Sequence, residues 1–214
     1  MRPKPSVKWL GCHLDSDISF STHVSKTVST CFAVLRQLRS VRRSLSDFLL
    51  LNLIKALVFP HLDYCLSLLS RIQKFEYQRL QNVIHASARL ACGASRFSHI
   101  TPILRELKWL PIQARIDYRL CVSVHKCRRG LAPPYLVDEL TFASSAPGRL
   151  RLRSSSSAAL CVPSVKRPSL GKGRAFRATA VKVWNSLPPD LASDECLSSF
   201  KRRLKSFLLH KYFP

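Results

Sequence analysis

Lys74-Phe75-Glu76-Tyr77-Gln78-Arg79-Leu80-Gln81-Asn82-Val83-Ile84-His85-Ala86-Ser87-Ala88-Arg89-Leu90-Ala91-Cys92-Gly93 is the stretch from which the fold can be read. Leu80, Val83, Ile84, Ser87 and Ala91 recur at helical spacing, so they predict a helix from about Lys74 to Cys92 with those residues facing inward. Gly93 stands where a left-handed C-terminal cap belongs.

The same periodicity extends in both directions. Upstream, Val24, Val28, Phe32 (or Cys31), Leu35 and Leu38 predict a helix starting near Thr22, with Lys26, Arg36 and Arg39 on its outer face. Ser44 or Ser46 would cap the next helix, where Asp47 suits the positive end of the dipole. Apolar on nearly every side up to Phe59, that helix should lie in the centre of the core, and Pro60 ends or kinks it. At the front, Lys8 to Leu14 can extend as a strand. Asp15-Ser16-Asp17 then reads as the turn of a small hairpin before Ile18-Ser19-Phe20.

Downstream, Thr101-Pro102 reads as the cap and first residue of a short helix ending near Leu107. Leu110-Pro111 opens another, with Ile112, Ile116, Leu120 and Val124 buried and Gly130 closing it. Pro133-Pro134 starts a short helix through Leu140. Ser144 to Ser157, rich in serine and arginine, reads as a loop. Two further stripes follow: Phe176, Ala180, Val183, Trp184 and Leu187, then Leu197, Phe200, Leu204 and Leu208. Ser193 is the expected cap of the last helix. The fold class expected is mainly α with a short N-terminal β-hairpin. No internal repeat is visible.

Charge narrows the function. The chain has 214 residues, with 35 Lys plus Arg against 12 Asp plus Glu, a formal net charge of +23. An excess of that size calls for a polyanion: nucleic acid first, an anionic membrane surface second. Between Glu139 and Asp190 lie 50 residues without a carboxylate and with nine Lys or Arg. The longest apolar stretch, Phe48 to Phe59, is far short of the roughly 20 residues a bilayer span needs. The first residues lead into no apolar core of a secretory signal. Eight cysteines in such a chain are expected to be reduced thiols in an intracellular protein, nuclear or cytoplasmic.

Two-metal chemistry needs paired carboxylates, and the close pairs Asp15/Asp17, Asp138/Glu139 and Asp194/Glu195 read as a turn, a helix end and a helix start. No phosphate loop or nucleophile elbow is present, and no catalytic residue, cofactor or metal ligand is assigned. Cys121, His125 and Cys127 lack the fourth ligand of a structural zinc site and read as core residues. The basic residues carry the functional signal. Arg115 and Arg119, one turn apart and opposite Ile112 and Ile116, are expected to form an exposed positive face that Lys126, Arg128 and Arg129 prolong. Lys201, Arg202, Lys205 and Lys211 repeat the arrangement on the last helix. The candidate phosphate-contacting set is Arg115, Arg119, Lys126 and Arg129, with Arg151, Arg153 and Arg174 from the basic loop.

Several short runs, in order, resemble one family. They are Trp9-Leu10-Gly11-Cys12-His13-Leu14-Asp15 with Ser19-Phe20 and His23, then Leu62-Asp63-Tyr64-Cys65 and Ala88-Arg89-Leu90. His99-Ile100-Thr101-Pro102, Trp109-Leu110-Pro111-Ile112 and Ala132-Pro133-Pro134-Tyr135-Leu136 follow. Gly173-Arg174-Ala175-Phe176, Trp184-Asn185-Ser186-Leu187-Pro188 and Phe200-Lys201 complete the series. Together they resemble the region after the catalytic palm of LINE-type (non-LTR) retrotransposon reverse transcriptases. Cys12, Leu66 and Lys108 depart from that family's usual valine, asparagine and histidine.

The resemblance implies a primer-grip-like hairpin (1–20), a helical thumb-like domain (21–140), a basic linker (141–174) and a C-terminal helical segment (175–214). It implies a partner of RNA, DNA or RNA–DNA hybrid, held as template–primer. It also implies no polymerase activity in this chain, which contains no Asp-Asp pair. An enzyme would require the palm from another chain. The alternative function is a basic structural protein that binds acidic proteins or membrane surfaces.

Overall fold

A computed structural model describes residues 5–141, 160–161 and 176–213. The architecture is mainly α, with an antiparallel two-stranded hairpin at the front. The chain divides into two compact units, Met1–Arg115 with Tyr212–Pro214, and Ile116–Lys211. Their boundary falls inside one helix, at a place where composition gives no sign of it. No helix among the described residues is long and apolar enough to cross a membrane.

In the first unit, β1 (Ser6–Trp9) pairs with β2 (Cys12–Asp15), Trp9 opposite Cys12 and Ser6 opposite Asp15. The expected turn after Asp15 is present, the Ile18 N–H donating to the Asp15 carbonyl at 2.9 Å, but it is not the hairpin's: the strands reverse at Leu10-Gly11, both with positive φ, 45° and 82°. Such a turn matches the twist of the strands it joins and is easiest with glycine in it. A Cβ on Gly11 would also come within 3.1 Å of the Tyr64 hydroxyl oxygen, which donates its proton to the Leu10 carbonyl. Asp15 serves the next element instead. Its Oδ2 accepts the Thr22 N–H at 3.2 Å and the Ser19 hydroxyl at 2.9 Å, at the start of α1 (Ser21–Ser40).

Then come α2 (Asp47–Leu57), α3 (Phe59–Asp63), α4 (Lys74–Cys92) and α5 (Ile100–Glu106). α4 has the limits its periodicity predicts, and Gly93 closes it at φ 62°. It lies against α1, α2 and α5. Val24, Cys31, Leu35 and Leu38 of α1 and Leu80, Val83, Ile84 and Ala88 of α4 are buried in the core of this unit. Ser46 caps α2 by accepting the Leu49 N–H. α2, however, is not central. It buries Leu50, Ile54 and the following Val58, while Phe48, Leu49 and Leu57 are exposed, because only one of its faces meets other helices.

α6 (Ile112–Arg128) opens with borrowed caps: Gln81 Oε1 accepts the Ile112 N–H at 2.9 Å and the Tyr77 hydroxyl oxygen accepts that of Gln113 at 3.1 Å. First-turn N–H groups lack partners within their own helix, so side chains of α4 supply them.

The second unit contains the rest of α6, α7 (Pro134–Val137), α8 (Phe176–Asn185), α9 (Pro189–Ala192) and nearly all of α10 (Leu197–Tyr212). Ile116, Leu120 and Val124 are buried, as their spacing predicts, with Trp184, Phe200, Leu204 and Leu208. Trp184 and Phe200 stand 5.8 Å apart and His125 stacks on Phe200 at 4.3 Å. Truncating an aromatic in such a core costs about 3–5 kcal/mol. Ser193 does not cap α10. Asp194 does, accepting the Cys196 N–H at 3.3 Å and the Ser199 hydroxyl at 2.9 Å. Those bonds, and Arg203, hold its carboxyl below the usual range against a burial effect that pushes the other way.

Leu160, nearly completely buried, is held by one side chain. Asn185 Oδ1 accepts the Leu160 N–H and its Nδ2 donates to the Leu160 carbonyl, both at 2.9 Å. Cys161 N–H donates to the Thr141 carbonyl at 2.8 Å.

Candidate nucleic-acid interface

A cluster of arginines lies along a groove in the first unit, on α1, the turn after it, α4 and the loop beyond Gly93. Arg36, Arg39, Arg42, Arg89 and Arg96 line it, and no carboxylate does. Its remaining lining is apolar: Phe32, Leu35, Ala86 and Leu90, with Gly93 and Ala94. The cavity measures about 400 Å³.

Local sequence explains the arrangement. On α1 the buried stripe of Cys31, Leu35 and Leu38 turns Arg36 and Arg39 to the solvent side, with Phe32 half-buried between core and groove. On α4, burial of Ser87, Ala88 and Ala91 leaves Ala86, Arg89 and Leu90 only half-buried. Small residues at Ala86 and Gly93 leave the space open.

The five guanidinium groups are not equivalent. Arg42 donates to the Leu90 carbonyl and lies 3.4 Å from Asp47 Oδ1, so it braces the end of α4. A Cβ at Gly93 would stand 2.8 Å from Arg42 Nη2, which makes glycine a requirement of that brace as well as of the cap. Arg89 donates to the Ser98 carbonyl at 3.4 Å, while its buried Nε has no partner among the described atoms. Arg36, Arg39 and Arg96 are exposed and make no hydrogen bond or ion pair with a described residue. Arg96 lies over the Phe97 ring at 4.6 Å. Three positive charges thus face an apolar floor without a counter-charge among the lining residues.

The residues expected from sequence to contact phosphate divide differently. Arg115 corrects the expectation of an exposed pair. It is only 13% exposed, its Nη1 donates to Asp63 Oδ1 at 2.8 Å, its Nε to the Leu110 carbonyl at 3.1 Å, and its guanidinium lies 4.1 Å from the Phe59 ring centre. Phe59 in turn meets Trp109 edge-on at 4.6 Å. Arg115 therefore ties α6 to α3 within the first unit. Arg119 and Lys126 are exposed.

Arg129 lies 3.5 Å from Glu195 and donates to the Asp194 carbonyl, and its neighbour Arg128 donates to the Ala192 carbonyl. Arg115 and Arg129 are thus half-buried and bonded within the protein, and Arg119 and Lys126 are exposed. Arg151, Arg153 and Arg174 lie outside the described residues, as does most of the basic stretch.

Cys121 and Cys127 are buried, their thiols pushed up by burial. His125 is buried between them in sequence, but its ring stacks on Phe200 and its Nε2 donates to the Asp194 carbonyl at 2.9 Å. Burial holds it below the ordinary histidine range, so the neutral ring is the one the core contains. Among the described residues no group of three His, Cys, Asp or Glu is placed to hold a metal ion.

The groove escaped sequence reading because its two banks are some fifty positions apart in the chain. The available signal was weaker: Arg36 and Arg39 share the outer face of α1, and Arg89 breaks the apolar run of α4.

The chain matches no family model, no curated protein and no solved structure.

Proposed function

We propose that this chain binds nucleic acid through its phosphates, as a thumb-and-tail fragment similar to that of a non-LTR retrotransposon reverse transcriptase, and performs no nucleotidyl transfer by itself. The observation that carries the reading is the groove between α1 and α4. Five arginines line it without a carboxylate, in a chain of net charge +23. Guanidinium groups bind phosphate oxygens with paired donors, and a set of them fixes a backbone without reading its sequence. Partners on this reading are RNA, DNA or their hybrid, in the nucleus or cytoplasm.

The test is a titration of labelled RNA–DNA hybrid and duplex DNA at several salt concentrations. Affinity should fall on a log–log plot with a slope of about −0.9 per phosphate contacted on duplex DNA. It should barely respond to base sequence. An affinity indifferent to salt, or anionic vesicles bound more tightly than either duplex, would reject the reading in favour of a basic structural protein. A primer-extension assay with magnesium or manganese should give no product above the protein-free control.

A further inference from the structure

We infer that the groove between α1 and α4 receives one unpaired nucleotide, its base on the apolar floor and its phosphate among Arg36, Arg39 and Arg96. The inference rests on the nucleic-acid reading above and adds what kind of nucleic acid the site selects.

Three features point the same way. The first is shape. A surface that follows duplex phosphates is a positively charged face, whereas this is a concave site of about 400 Å³, within the size range of small-molecule pockets of roughly 300–1,000 Å³. A base within a duplex is stacked on both sides and cannot enter a cavity; an unpaired one can.

The second is lining. Phe32, Leu35, Ala86 and Leu90 offer an aromatic edge and aliphatic surface with no side-chain donor or acceptor, so a base would be held by its face and not read by its edge. The third is charge. Arg36, Arg39 and Arg96, with no hydrogen-bonding partner among the described residues, stand around this floor, and Arg42 and Arg89, tied to backbone carbonyls, form its fixed wall. Aromatic or apolar floor with arginine rim is the chemistry by which single strands are bound without sequence preference.

The experiment compares three labelled ligands with the full chain at fixed salt: a blunt duplex, the same duplex with an unpaired extension, and the extension strand alone. The extended duplex should bind roughly tenfold more tightly than the blunt one, the effect of stacking one base. A fluorescent adenine analogue in the extension should change its emission on binding. Ala86→Phe fills the floor and should abolish the preference, so that blunt and extended duplexes bind alike. Arg39→Gln with Arg96→Gln, both exposed and so without cost to folding, should reduce the preference independently of how Ala86→Phe folds.

Equal affinity for blunt and extended duplexes, or a preference that survives the arginine pair, would overturn the inference and leave general phosphate binding standing. No binding of any of the three ligands at low salt would overturn both.

Discussion

Two arginine-rich regions of this molecule have similar composition and opposite fates. Along the α1–α4 groove, Arg36, Arg39 and Arg96 are exposed and make no hydrogen bond or ion pair with a described residue. Around α6, Arg115, Arg128 and Arg129 are consumed by the protein itself, on Asp63, the Ala192 and Asp194 carbonyls and Glu195. The difference lies in the acceptors. α6 meets carbonyls and carboxylates that take up its arginines, while no carboxylate lines the groove and its Leu90 carbonyl is taken by Arg42. Counting basic residues along a sequence measures the potential for phosphate binding; only the acceptors brought alongside decide how much of it is left.

Four measurements would break or sharpen that contrast. The largest effect should come from Arg36→Gln, Arg39→Gln and Arg96→Gln together. The salt slope of nucleic-acid binding should flatten by up to roughly three units, with the unfolding midpoint in denaturant unchanged. If the slope stays and the fold weakens, the groove arginines are structural and the contrast is void. Next is Arg115→Ala, which leaves Asp63 without its charged donor. It should cost about 2 kcal/mol of stability by denaturant titration and leave the salt slope within error of wild type.

Gly93→Ala follows, at about 1–2 kcal/mol, because its φ is left-handed and its methyl group would push against Arg42. Chemical denaturation checks the cost, and a loss beyond that range would mean that bracing by Arg42 spreads further than the end of α4.

The smallest effect concerns His125, whose acceptor is a carbonyl. Burial lowers its folded pKa below the ordinary 6.5. Between those values the unfolded chain binds a proton that the folded one does not, so stability is complete above about pH 6.5 and falls as the pH drops. His125→Gln should reduce the pH dependence of the unfolding free energy by at most about one proton in that window. An unchanged dependence would assign the acid sensitivity to other histidines such as the buried His23 and the half-buried His85, which burial also lowers.

Sequence reading was strongest where one residue type settles one question. α4 has its predicted ends because an inward stripe and a glycine at its close are both local features. The buried positions of α6 and α10 followed from spacing alone. Reading failed where the outcome depends on a partner. The apolar run of α2 says that the helix is attracted to a core, not how many of its sides find one, and Phe48, Leu49 and Leu57 remain exposed. The hairpin turned at Gly11 and not at the polar Asp15-Ser16-Asp17, since backbone sign outweighed polarity. Arg115 looked like a surface residue because nothing in its neighbourhood announces Asp63, 52 positions earlier. The groove was invisible for the same reason.

The pairing of Leu160 with the Asn185 amide has a further consequence. A strand seated in a ladder can slip along its neighbour and find another register, each shift exchanging the faces of every side chain. Leu160 lies in a β-bridge and is gripped by the Asn185 amide as well. The amide turns its oxygen and one of its N–H donors, in fixed geometry, to the same residue. That two-point pairing favours one register for the buried side chain. Asn185→Asp, nearly identical in shape, would set an acceptor against the Leu160 carbonyl and undo the pairing at a stroke.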